Sequence, residues 1–506
     1  MASTSNTDSI EPADPAGSNV AESGSTNNTP VHVQNSETDI VPPEDLDGSA
    51  SHIPADPSFS RGASTEPASL ENESRSGPAL DSEQCNTANE SAHSLDQSVS
   101  GDLEVQKNAS FSSTDCENGQ LTLLSLPGEL LLNIFDYLDA RQVICELGLV
   151  CKELHAIVAD NLEWKVRCMK RFHGAYPIVP VDDDKFNWKR ACIEREEAYH
   201  RWSKHEEQME HFSLSMAHIG GIDSVHLMHN ADLCFTGSRD RTFKMWDLRK
   251  LDASDPTGSV QRAEAKDIKG HKGWVWDITS LDNILCTASW DCWLKLWDVN
   301  DDLRLVQKMK GKSAFLSVVY QHNAIIAGAY DKSIYVYDPR IEHNNFVNQL
   351  IHHKRSVLTV AADKDYIISG SEDKTIAVYD RRAGRLFKQI ELDNYCMCMS
   401  YQNGQLWTGQ KDGSVHVIDP TDGAFDVVQT YDVGHKNKIT GIIYTMGALY
   451  SCSTDATVRV SHPHHQPELI CKLTDHTADL TAIDIQNGVL ASACSDVTAG
   501  IWRPKN

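Results

Sequence analysis

The sequence predicts a multidomain α + all-β chain: a disordered acidic N-terminal tail, a module of three short helices, a helical linker and a large β domain built from seven repeats. Three observations carry this expectation. At 506 residues the chain is longer than one average domain. Its first 118 residues hold 21 Asp and Glu against three Lys and Arg, with no Trp or Tyr. From Asp240 onward a marker aspartate returns at intervals of 51, 40, 42, 39, 43 and 41 residues, ending at Asp496.

Residues 1–118 are rich in Ser, Asn, Pro and Gly. Such a segment cannot bury enough apolar surface to offset its ordering entropy, so disorder is expected. It holds 18 of the 26 net negative charges, which leaves about eight for the rest of the chain. The tail therefore reads as a solvated extension. With no compensating basic block, the composition excludes general affinity for nucleic acid, which depends on Lys and Arg displacing counterions. The start, MASTSNTDSIEPADP, has neither the charged nor the apolar region of a signal peptide, and no run of 18 apolar residues occurs. A soluble intracellular protein, cytoplasmic or nuclear or both, is expected, with no membrane partner. The fourteen cysteines, Cys145, Cys151, Cys168, Cys192, Cys234 and Cys286 among them, are scattered without a CxxC pair. They read as reduced, small apolar residues.

Residues 121–168 change character. Pro127 suits the first turn of a helix, and Leu130, Leu131, Ile134, Phe135 and Leu138 follow at helical spacing. Asp139 is placed to cap a second helix through Val143, Leu147 and Val150, and Leu154, Ile157 and Val158 continue a third. Three helices of this size make a small core, and such a segment often completes it on a partner. The linker, 169–208, is formed largely by FNWKRACIEREEAYHRWSKHEEQMEHF at 186–212, with high helix propensity and interspersed charge. It reads as a rigid spacer; the alternative is a solvated surface helix without a geometric role.

The stretch LPGELLLNIFDYLDARQVICELGLVCKELHAIVADNLEW resembles an F-box. The family's Leu-Pro is Leu126-Pro127, its Ile-Phe-x-x-Leu is Ile134, Phe135 and Leu138, its Val-Cys is Val150-Cys151 and its terminal Trp is Trp164. His155 stands where many members carry Trp. The resemblance implies docking onto the Skp adaptor subunit of cullin–RING ubiquitin ligases. The implied contacts are Leu126, Pro127, Leu130, Leu131, Ile134, Phe135, Leu138, Val150, Cys151, Leu154 and Trp164. The competing reading is a helical bundle packed on its own chain.

The β domain, 209–506, repeats one unit: GSRDRTFKMWD, ASWDCWLKLWD, GAYDKSIYVYD, GSEDKTIAVYD, GQKDGSVHVID, CSTDATVRVSH and ACSDVTAGIWR. An aspartate in a tight turn followed by an alternating strand at this period resembles the WD40 repeat. Seven units imply a seven-bladed WD40 β-propeller of four-stranded blades. Upstream of the turns, GHKGWVWDI at 270–278 has counterparts in most blades, but Lys312 replaces the His of the third and LDNYCMCMS in the fifth has none. His271, Ser289 and Asp291 lie close enough in sequence to raise a hydrolase triad. A catalytic site would not be copied into most blades and lost from others. In the WD40 family the His, a strand Ser or Thr, the Asp and the Trp form a buried tetrad, so the resemblance makes His271, Asp291 and Trp297 structural. The segment RKLDASDPTGSVQRAEAKD, 249–267, reads as an exposed insertion. MEHFSLSMA, 209–217, is expected to supply the outermost strand of the last blade and close the ring.

Propeller ligands usually bind the face around the marker aspartates. The residues preceding them are Arg239, Trp290, Tyr330, Glu372, Lys411, Thr454 and Ser495, and the loops after the His positions add Trp274, Arg355 and Lys438. The candidate face for a target protein is Arg239, Trp274, Trp290, Tyr330, Arg355, Lys411 and Lys438. Glu372, Thr454 and Ser495 interrupt any ring of arginines, which favours a mixed aromatic and basic pocket over a phosphate reader. Three histidines within 461–469 could hold a metal, but the stretch falls in a blade-to-blade loop and reads as an adventitious site, and neither metal nor cofactor is expected. Cys396 and Cys398 share one face of a strand and should be buried. An F-box before WD40 repeats resembles the F-box/WD-repeat substrate receptors. The resemblance implies a non-catalytic substrate-recognition subunit of a Skp–cullin–F-box E3 ubiquitin ligase. The alternative is a non-catalytic WD40 scaffold that assembles a complex without ubiquitin transfer.

Overall fold

The computed structural model describes residues 123–505 apart from 175, 180–185, 216 and 342–345. The disorder expected over 1–118 falls outside the described residues. Those described lie within one compact unit, Ser100–Asn506.

Seven four-stranded antiparallel sheets form the propeller. Blade 1 covers 222–268, blade 2 275–310, blade 3 315–350, blade 4 357–391, blade 5 396–432, blade 6 439–473 and blade 7 480–504. The first strands of neighbouring blades touch around the ring, which makes them the innermost. The fourth strand of blade 7 is Met209–Leu214, which runs antiparallel to Ala499–Pro504 with Phe212 opposite Ile501. Phe212 and Leu214 are buried with Val225, Leu227 and Trp246 of blade 1, so closure is held by packing as well as by pairing.

The marker aspartate earns its repetition through the turn. The residue after it (Arg241, Cys292, Lys332, Lys374, Gly413, Ala456 or Val497) has φ between 61° and 87°. Left-handed backbone is unfavourable for all of these except glycine. In every blade the aspartate accepts the amide two residues on, from Thr242 at 2.9 Å to Ser333 at 3.2 Å, and this bond holds the turn. A second device repeats in all seven innermost strands: the register slips after the first pair, leaving Asp223, Trp276, Leu316, Leu358, Met397, Thr440 and Thr481 unpaired across the strand. Such bulges re-aim side chains.

The 249–267 segment is mostly exposed, as an insertion should be, but it carries regular structure. Helix α7, Pro256–Ala263, takes its cap from Asp255, which accepts from the Gly258 amide at 3.0 Å. Ser259 and Ala263 are fully buried, and Glu264–Ile268 forms the outer strand of blade 1.

Before the propeller lie α1 (Gly128–Phe135), α2 (Ala140–Cys145), α3 (Lys152–Ala159), α4 (Asn161–Phe172), α5 (Trp188–Ser203) and α6 (His205–Gln208). Helix α4 extends the module beyond the three helices expected; the Asp160 carboxylate opens it by accepting from the Leu162 amide at 2.9 Å. Asp139 occupies the cap position of α2 without making the cap bond. Glu196 of α5 does so instead, accepting from the Ala140 amide at 2.7 Å.

Helix α5 is neither a solvated helix nor a bare spacer. It buries Trp188, Ala191, Cys192, Arg195, Glu196, Ala198 and Trp202. One core joins Leu131, Phe135, Leu154 and Trp164 of the module to Trp188 and Cys192 of α5 and to Met446 of blade 6. The Tyr176 hydroxyl donates to the Met446 carbonyl at 2.6 Å, and the Trp202 indole donates to the Tyr450 hydroxyl at 3.0 Å. Gly447 permits the approach: a Cβ there would lie 2.4 Å from the Glu194 carbonyl oxygen. The histidine-rich loop joins the same contact. His462 and His464 are buried and stacked 4.9 Å apart, and His462 lies 5.5 Å from Phe172 and 5.6 Å from Tyr199. None of the twelve cysteines among the described residues is in a disulfide. No helix among the described residues is long and apolar enough to cross a membrane.

Candidate functional site

Helix α1 is apolar on two sides, and the fold uses them differently. Leu131 and Phe135 are buried, as are Leu154 of α3 and Trp164 of α4, whose indole donates to the Val158 carbonyl at 2.8 Å. Leu126, Leu138 and Cys151 are partly buried against that core. Pro127 is exposed, as are Leu130 (49%), Ile134 (40%) and Val150 (68%). Leu123, Leu124, Tyr137 and Leu149 add to the exposed apolar set. Sequence reasoning missed these four, although Leu130, Ile134 and Tyr137 keep one helical spacing. His155, the departure from the F-box pattern, has Nδ1 3.1 Å from the Gly148 carbonyl oxygen and ties α3 to the turn carrying Leu149.

A buried polar hub holds this module together. Arg167 of α4 donates to the Phe135 carbonyl at 2.7 Å and to Glu196 at 2.9 and 3.1 Å, and it also donates to the Leu138 carbonyl. It thus serves the last carbonyl of α1 and the Leu138 carbonyl of the turn that follows, while Glu196 caps α2. Arg171 lies 3.2 Å from the same carboxylate.

The blade histidines form relays. His271 Nδ1 is 3.0 Å from Asp291 and its Nε2 is 2.7 Å from Thr287, whose hydroxyl also accepts from the Trp297 indole at 2.9 Å. His218, His353 and His435 make the same pair of contacts in blades 1, 4 and 6. Where the His is missing, another donor serves: Tyr335 donates to Asp331 at 2.7 Å in blade 3, and Asn394 donates to Asp412 at 2.8 Å in blade 5. Among the described residues one group has metal-ligand proximity, His476, Cys494 and Asp496. Its donors are already engaged: His476 Nε2 lies 2.7 Å from Ser492, and the Cys494 thiol donates to the Ala478 carbonyl at 3.3 Å.

Burial lowers the pKa of His271, His353, His435 and His476. Burial alone would raise the carboxyls of Asp291, Asp373 and Asp455, but the facing imidazoles and turn donors outweigh it and hold them below their ordinary range. Both shifts have the same consequence. The unfolded chain binds protons that the folded chain refuses, first as pH falls below the ordinary histidine value of 6.5 and then below the aspartate value of 3.8. Each such proton costs about 1.4 kcal/mol of stability per pH unit. The buried carboxyls of Asp223 and Asp277, raised by burial to about 6, act in the opposite sense over the same window, but the four relay histidines outnumber them. Thermal melts should therefore fall between pH 6.5 and 4, and a melting temperature that rises over that window as pH is lowered would exclude neutral buried relays.

On the face around the turns, Trp274 and Trp276 stack with centroids 6.3 Å apart, Trp290 sits edge-on to both at 5.8 and 5.7 Å, and Tyr330 follows at 5.6 Å. Asp223 and Trp276, two of the bulge residues, both belong here, and neither was singled out by the repeat. The basic residues of this face have partners. Arg239 lies 3.1 Å from both oxygens of the buried Asp223, and Arg355 lies 3.3 Å from Glu372. Lys411 sits 4.8 Å over the Tyr395 ring, and Lys438 is partly buried.

The F-box-like family pattern matches residues 123–170, and the WD domain, G-beta repeat pattern matches 211–247, 263–298 and 344–380. F-box/WD repeat-containing protein 9 of Bos taurus is 41% identical over 381 residues, covering 75% of this chain and 82% of that protein. The chain belongs to the F-box/WD-repeat family. The Homo sapiens member of the same name is 40% identical with the same coverage, and F-box/WD repeat-containing protein mec-15 of Caenorhabditis elegans is 30% identical over 63% of this chain and 80% of that protein. In this F-box/WD-repeat chain the exposed apolar set thus lies within the F-box match, and the aromatic set lies on the propeller.

Proposed function

We propose that the chain is the non-catalytic substrate-recognition subunit of a Skp–cullin–F-box ubiquitin ligase. The observation that carries this reading is the division of α1: Leu131 and Phe135 complete the module's own core while Leu130 and Ile134, with Val150, stay exposed. Exposed apolar clusters of this kind mark interaction surfaces. The adaptor binds Pro127, Leu130, Ile134 and Val150 together with Leu123, Leu124, Tyr137 and Leu149. Leu131, Phe135, Leu154 and Trp164 support that face from within. The target protein binds the propeller face around Trp274, Trp290 and Tyr330. The core shared through α5 and Met446 supports a fixed placement of target relative to adaptor, which transfer to a target lysine requires. The complex acts inside the cell, in the cytoplasm, the nucleus or both.

The test is reconstitution. The purified chain, mixed with a Skp adaptor subunit and a cullin–RING pair, should elute as one stoichiometric complex on size exclusion. A folded chain that elutes apart from the adaptor would overturn the proposal and leave the WD40 scaffold in its place.

A further inference from the structure

The propeller face restricts the chemistry of its target. We infer that it selects an unmodified peptide segment by a large apolar side chain, which packs on Tyr330 beside the Trp274 and Trp276 rings while a peptide carbonyl accepts from the Trp290 indole. The inference rests on the substrate-receptor reading and deepens it.

Three observations lead there. The four rings form one continuous aromatic cluster packed with the buried Ala314 and Leu316, in which Trp274 and Trp276 are partly buried and Tyr330 is 43% exposed. Aromatic surfaces of this kind are the usual anchors of protein recognition. The second observation is an unmatched donor. Trp290 is 6% exposed, and its indole Nε1 is buried without a hydrogen-bond partner. Buried N–H groups are rarely left unpaired, and a peptide carbonyl is the acceptor that every target segment can supply.

The third observation is charge. The Arg239 guanidinium lies 5.0 Å over the Trp274 ring and 5.9 Å over the Trp276 ring, so the positions a ligand cation would take are already filled. Its charge is matched by Asp223, and that of Arg355 by Glu372. A phosphorylated or acidic segment that reached for Arg239 or Arg355, the basic residues beside the rings, would have to break one of these pairs, the first with a buried carboxylate. An ammonium group over the Trp274 or Trp276 ring would have to displace Arg239. An apolar side chain requires neither, and it gains from the desolvated rings.

The experiment uses the purified full chain and a positional library of 15-residue peptides. The central residue is fixed as Phe, Trp, Leu, Lys, Asp or phosphoserine, and the flanks are randomised. The three apolar sublibraries should retain at least tenfold more chain than the other three, with less than twofold change between 50 and 500 mM NaCl. Tyr330→Ala should reduce that retention at least tenfold, as should Trp290→Phe, which keeps a ring and removes the donor. Lys364→Ala, in the exposed turn between the first two strands of blade 4 and at the opposite end of the blade from the marker turn, should leave it unchanged. Should Trp290→Phe melt early, Tyr330→Ala still decides, because its side chain is exposed. Preference for phosphoserine, Asp or Lys would overturn the inference, as would retention insensitive to Tyr330→Ala or no retention by any sublibrary. Adaptor co-elution of the same preparations separates the two levels. A chain that binds the adaptor without apolar preference refutes this inference alone, and one that fails to bind the adaptor refutes the receptor reading.

Discussion

Arg167→Met is expected to destabilise the helical module by about 3–5 kcal/mol, because it strands one member of a buried ion pair. The guanidinium is 7% exposed and serves α1 and α5 at once, through the Phe135 and Leu138 carbonyls and Glu196. Without it the Leu138 carbonyl loses the guanidinium as its donor, the Phe135 carbonyl is left with the Leu138 amide, and Glu196 keeps Arg171, the Ala140 amide and the Cys192 thiol. The loss should appear as faster amide exchange across α1, α2 and α5, while the blades far from Met446 keep their protection. Adding Glu196→Gln should recover part of the stability, since the stranded charge disappears while an acceptor for Ala140 remains. A cost below about 1 kcal/mol for the single substitution would mean that water reaches the hub and screens it.

The propeller was legible because its turn has a chemical requirement that repeats. An aspartate must accept the amide two residues on where the intervening residue is left-handed, and the seven marker aspartates all do this. The substitute donors Tyr335 and Asn394 were not legible, since a tyrosine on a strand and an asparagine before it have many ordinary uses. The inner-strand bulge was hidden for a different reason. A one-residue slip leaves alternation intact on either side, so nothing in the spacing of Trp274 and Trp276 announces it. Helix α7 carried a readable start, Asp255 followed by Pro256, which the polar composition of the insertion obscured. Helix α5 misled most: Arg195 and Glu196 look like solvent-facing charge, yet both are buried against residues far away in sequence.

The same limit applies to α1, and it yields a prediction that separates binding from folding. GELLLNIF is apolar around most of its circumference, so periodicity cannot say which side meets its own core and which meets a partner. The fold divides them: Leu131 and Phe135 inward, Leu130 and Ile134 outward. Leu130→Asp with Ile134→Asp should therefore lower adaptor affinity by a hundredfold or more, because two charges would be desolvated at an apolar contact. Its melting temperature should move by no more than a few degrees, since neither side chain is buried in the free chain. Phe135→Ala should behave in the opposite sense, costing about 3–5 kcal/mol through the cavity it leaves. Its adaptor binding should fail only where the module has melted and return on cooling. If Leu130→Asp/Ile134→Asp binds the adaptor as wild type does, the exposed side of α1 is not the docking face; if Phe135→Ala loses binding while fully folded, the partner reaches through to the side that the free chain buries.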